Sequence, residues 1–171
     1  MGTLLFTTSC DDDDPDPIDE GEVITTVTLS LVDDGKGQDA EATIRNTTGN
    51  NVQDAPLTLK ANTTYNATIT LSDESKTPAV DRTPEIRQNG NEHLFIYNYN
   101  SLTNDTDMNV QITDMDANNR PVGLEATVTT GANAGTGKLQ VVLKHQPGGL
   151  KTGASIAGET DVEVDFDVII Q

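Results

Sequence analysis

Tryptophan is absent from this chain, and all aromatics together make up 4% of it. A core without large rings must be assembled from Val, Leu, Ile, Ala and Thr. Cysteine occurs once among 171 residues, which excludes an internal disulfide framework. Basic residues are scarce: 10 Lys and Arg stand against 28 Asp and Glu, for a net charge of −18. Nucleic acid is therefore not an expected partner, because phosphate binding needs a basic surface. No stretch approaches the roughly 20 apolar residues of a membrane span. Hydrolase elbow, phosphate loop, dinucleotide fingerprint and His-Glu-x-x-His motifs are all missing. No nucleophile–base or paired-acid arrangement stands out, so an enzyme is not expected. The length suits one domain, with room for a tail.

What is present begins at "TTSCDDDDPDP", residues Thr7 to Pro17. Aspartates beside a thiol raise its pKa, so Cys10 does not read as a catalytic thiolate. Eight acids and no base lie between Asp11 and Glu22. Removing those eight leaves 20 acids against 10 bases, so the body carries about −10. Pro15, Pro17 and the charge block disfavour regular structure, and 10–21 reads as an extended tether.

From Glu22 onward the pattern alternates with period two, and helical periodicity is hard to find. Val23, Val27, Leu29 and Leu31 form one face of "EVITTVTLSLV", with Thr26, Thr28 and Ser30 opposite. Tyr65, Ala67, Ile69 and Leu71 alternate with Thr and Asn. Leu124, Ala126 and Val128 repeat the pattern, as do Leu139, Val141 and Leu143. In "ETDVEVDFDVII", Val162, Val164, Phe166, Val168 and Ile170 alternate with Asp161, Glu163, Asp165 and Asp167, which predicts one buried and one acidic, solvated face. Weaker strands are "DAEATIRN", "APLTLK", "HLFIYNY" and "MNVQIT". Gly- and Asn-rich turns separate them, and a longer loop runs from Gln146 to about Gly158. About nine short strands predict an all-β fold: an antiparallel β-sandwich, Ig-like in outline, over 22–171. A lipocalin-like β-barrel is the alternative.

The first ten residues, "MGTLLFTTSC", resemble the end of a bacterial lipoprotein signal peptide, with Thr7 where the lipobox usually has Leu. The following Asp11, Asp12, Asp13 and Asp14 resemble the export signal of Bacteroidetes-type surface lipoproteins. The body segments "GEVITTVTLSL", "EHLFIYNY", "GLEATVTTG" and "GETDVEVDFDV" look like uncharacterised members of that group. The resemblance implies that 1–9 is a signal-peptide remnant and that Cys10 is lipidated. It implies a protein held on the outer membrane at the cell surface, acting as a binding or accessory module, with an outer-membrane transporter as partner. It carries over no catalytic residue.

Three sets of residues are candidate binding sites. His93 opens the Phe95-Tyr97-Tyr99 row, and His145 ends the Leu139-Val141-Leu143 row. Two imidazoles at strand ends, with Glu92 or an acid of the last strand nearby, suit Zn or Cu. The plainer reading is a packed or hydrogen-bonded histidine at each strand end. Asp114, Asp116, Asn118 and Glu125 have the 1-3-5-12 spacing of a Ca loop, against the plainer reading of an Asx-rich turn. Tyr97 and Tyr99 share one strand face and could stack on sugar rings in a carbohydrate-binding role, against plain core packing.

Overall fold

A computed structural model of the chain describes residues 23–33, 38–153 and 157–171. Cys10, the four aspartates after it and the acidic tether lie outside the described residues. Eleven strands and one short helix follow in the order β1 (Thr26–Asp33), β2 (Ala40–Arg45), β3 (Val52–Gln53), β4 (Leu57–Leu59), β5 (Thr64–Asp73), β6 (Val80–Asp81), α1 (Thr83–Gln88), β7 (His93–Ser101), β8 (Met108–Ile112), β9 (Glu125–Thr130), β10 (Gly135–His145) and β11 (Glu159–Ile170). They form two sheets. One runs β3-β2-β1-β5-β9-β8, with β6 added beside β5, and the other runs β4-β11-β10-β7. The two faces pack as a sandwich, and neither sheet closes into a barrel.

The alternating rows supply the core. Val27, Leu29 and Leu31 of β1, Tyr65 to Leu71 of β5, and Ala126 and Val128 of β9 face Leu139 to Leu143 of β10 and Val162 to Ile170 of β11. Burying each such side chain stabilises the fold by about 1.5–3 kcal/mol relative to leaving it exposed. Two details depart from simple alternation. Ile24 is buried while Val23 is exposed, so the inward row begins one residue later than the pattern suggests. The pairing of β4 with β11 is parallel, although every other ladder is antiparallel.

The helix α1 was not visible as a periodic pattern, being only six residues long. Pro84 occupies its first turn, where the missing N–H costs nothing. Ile86 is its one buried residue. The helix matters because its C-terminal end feeds directly into β7.

On the outer face of the four-stranded sheet, Glu163 and Asp167 are exposed, as the alternation requires. Lys138 pairs with Asp167 at 2.7 Å and Gln140 with Glu163 at 2.8 Å across the β10–β11 ladder. Asp161 is the exception in this row, and it defines the site.

Candidate metal centre

His93 and His145 are direct partners in the β7–β10 ladder. Cross-strand partners have Cβ atoms about 4.5–5.5 Å apart, which brings the two rings together. Their centroids lie 4.9 Å apart, with planes 7° from parallel. His93 is fully buried and His145 is half-buried.

His93 is held by the turn that follows α1. Its Nδ1 lies 3.0 Å from the Asn89 carbonyl oxygen, which can only accept, so Nδ1 carries the proton. The lone pair is thereby placed on Nε2. A backbone carbonyl behind a histidine is the usual device for orienting a metal-ligating ring. Burial pulls the His93 pKa below the ordinary imidazole value, and the neighbouring His145 pulls the same way. The Asn89 hydrogen bond and Glu92 oppose that shift.

Asp161 arrives by a break in the β10–β11 register. Leu143 pairs with Val162, but the next pair is Lys144 with Thr160, leaving Asp161 as the extra residue of a bulge. A bulge re-aims the side chain it carries. Strict alternation would place Asp161 outside with Glu163. Instead its side chain is only 9% exposed, and its Oδ2 lies 3.9 Å from His93 Nε2. Just upstream, Gly158 adopts φ +94°, and a Cβ there would collide with the His145 carbonyl. Only glycine lets the incoming chain pass this close to His145 before β11 begins.

The result is a set of one ligand atom each from His93, His145 and Asp161, all within 4.8 Å of one another. Among the described residues this is the one group of three or more His, Cys, Asp or Glu so arranged. Tetrahedral Zn²⁺ with ligands at about 2.0–2.1 Å spaces them about 3.3 Å apart. The ligand atoms therefore close by at most about 1.5 Å, and because the rings stack 7° from parallel, the more exposed His145 ring also turns so that both lone pairs meet one ion. Two imidazoles and a carboxylate match the preferences of Zn²⁺ and Cu²⁺ rather than those of Ca²⁺ or Mg²⁺.

The other two candidate sets are arranged differently. In the 114–125 loop, Asp114 accepts hydrogen bonds from the Gly123 and Leu124 amides at 2.8 and 3.1 Å. Asp116 Oδ1 accepts from the Asn118 and Arg120 amides, and its Oδ2 pairs with Lys151 Nζ at 3.1 Å. Glu125 is bound to Arg87 at 3.0 Å. Asp114, Asp116, Asn118 and Glu125, the candidate Ca set, thus lie in and beside a tight Asx turn, with Asn119 at φ +58°, and their acids do not converge as His93, His145 and Asp161 do. Tyr97 and Tyr99 do not form an outward stacking platform either. Both pack against the core. Tyr97 donates to the Gly123 carbonyl at 2.6 Å, and burial raises its phenol pKa far above normal. Tyr99 hydrogen-bonds Thr106 at 2.7 Å and fills space that Gly137 leaves open. The row that looked available to a sugar is the inner face of β7.

Lys151 was not singled out by the sequence. It is fully buried under the site, where its Nζ donates to the Gly90 carbonyl at 2.6 Å and pairs with Asp116. No family model, curated protein or solved structure matches the chain, so the functional reading rests on its own residues.

Proposed function

We propose that this protein is a non-enzymatic binding module that captures one divalent zinc or copper ion between His93, His145 and Asp161. The observation that carries the reading is the convergence of three ligand atoms from three different strands within 4.8 Å. Its support is chemical. The ring nitrogen turned toward Asp161 is the unprotonated one, the form a metal requires. The carboxylate arrives through a bulge in the β10–β11 ladder.

The same proposal places the module on a membrane surface. The stretch "TTSCDDDD" supports lipidation of Cys10 and display at the outer membrane, with the acidic tether as spacer. Labelled fatty acid should be incorporated by cells expressing the natural gene and not by its Cys10→Ala variant. Incorporation into that variant would remove the anchor.

The metal reading is tested by thermal unfolding of metal-free protein with Zn²⁺, Cu²⁺ or Ca²⁺ at tenfold excess. Binding to the native state alone raises the midpoint by mass action. Zn²⁺ or Cu²⁺ should raise it for the wild type and not for His93→Ala or Asp161→Asn, and Ca²⁺ should do nothing. An unshifted wild type in both transition metals would overturn the reading.

A further inference from the structure

The three converging groups leave the fourth position of a tetrahedral ion to be filled, and we propose that Glu92 fills it from the solvent side. The inference rests on the reading that His93, His145 and Asp161 hold the ion. Glu92 Oε2 lies 3.9 Å from His145 Nε2, opposite in character to the other carboxylate. Asp161 is 9% exposed, whereas the Glu92 side chain is 37% exposed. The Glu92 backbone is pinned on both sides. Its amide donates to the Asn89 carbonyl at 2.8 Å, and its carbonyl accepts the Gln146 amide at 2.6 Å. Gln146 directly follows His145, so the two ligand-bearing strands are tied together at Glu92. Glu92 stands outside the cluster of His93, His145 and Asp161, so its side chain swings inward past His145 to reach the ion.

This arrangement divides the ligands by role. His93 and Asp161 are buried and positioned before the ion arrives. His145 and Glu92 stand at the mouth, and Glu92 is the last to bind and the first to leave. The ion is exchanged by detaching one exposed carboxylate, without opening the sandwich. The chemistry is that of a loading and release step for a divalent transition metal.

The experiment replaces zinc by Co²⁺, whose visible absorption reports coordination number, in the wild type and in Glu92→Gln. The wild type should take up one Co²⁺ per chain with the intense bands of a four-coordinate site. Glu92→Gln should still bind one Co²⁺, with weaker bands of higher coordination as water replaces the carboxylate. It should also release Zn²⁺ to a chelator at least about 10-fold faster, the scale on which weakened ligand support changes metal affinity. A Glu92→Gln protein with the wild-type spectrum and release rate would overturn the role of Glu92 and leave the three-residue site standing. A wild type that binds no Co²⁺ would overturn both.

Discussion

Replacing Lys151 by methionine removes the ammonium from a pair that is 0% and 2% exposed on its two sides, while keeping much of the side-chain volume. Two interactions disappear. The Asp116 carboxylate loses its countercharge at 3.1 Å, and the Gly90 carbonyl loses a donor at 2.6 Å. Breaking a buried pair from one side costs about 3–5 kcal/mol, because the remaining charge is left in a poor solvent. For a chain of this size each kcal/mol moves the melting midpoint by about 2–4 °C, so a drop of about 6–20 °C is expected. Adding Asp116→Asn removes the stranded charge. The asparagine Oδ1 can still accept the Asn118 and Arg120 amides that Asp116 Oδ1 accepts now. What remains is chiefly the Gly90 carbonyl, left with only the long His93 amide bond at 3.4 Å, a loss of about 1–3 kcal/mol. The double variant should therefore be more stable than Lys151→Met alone. Urea unfolding of the wild type, both single variants and the double variant provides the cycle. A loss below about 1 kcal/mol for Lys151→Met, or a double variant no better than that single one, would refute the reasoning. The pair bears on the site as well, since Gly90 belongs to the turn that carries Asn89, Glu92 and His93.

Gly137→Ala should destabilise by about 2–4 kcal/mol in urea, combining overpacking against the Tyr99 phenol with loss of its bond to Thr106; an unchanged midpoint would show that the ring has room to move. Metal-free protein should lose stability as the pH falls below about 6.5, the unfolded imidazole value. The sign follows from His93, whose folded pKa is lowered by burial, so the unfolded chain binds the extra proton. His93→Asn should flatten the stability profile between pH 7 and 5, measured in chelator, and an unaltered slope would assign the loss elsewhere.

Much of the sandwich is legible because its strands are half-buried and alternate cleanly, so β1, β5, β9, β10 and β11 declare their inner faces in sequence. The histidines are legible for the same reason: each extends an apolar row by one step, and the pairing of β7 with β10 makes them neighbours. An acid of the last strand is expected beside the histidines, but that it is Asp161 is not legible. Period-two counting assigns it to the acidic outer row, and the bulge that turns it inward is a pairing event with no Gly or Pro at the position. Tyr97 and Tyr99 mislead because the sequence does not tell which face of an aromatic row meets the other sheet. Lys151 is hidden in a Gly- and Thr-rich loop, where no apolar pattern marks burial and lysine is ordinarily exposed. The short α1 falls below the length at which helical periodicity can be counted.

The bulge also sets how such a site can come and go over evolutionary time. One extra residue near the start of β11 shifts the register only upstream of it. From Val162 to Ile170 the packed face keeps its order, so the sandwich tolerates the change. A single codon is then the distance between an inert acidic edge and a strand that presents a carboxylate to two imidazoles. Deleting that one residue from this chain would keep the architecture and the histidine pair, and change only whether the pair has a third partner.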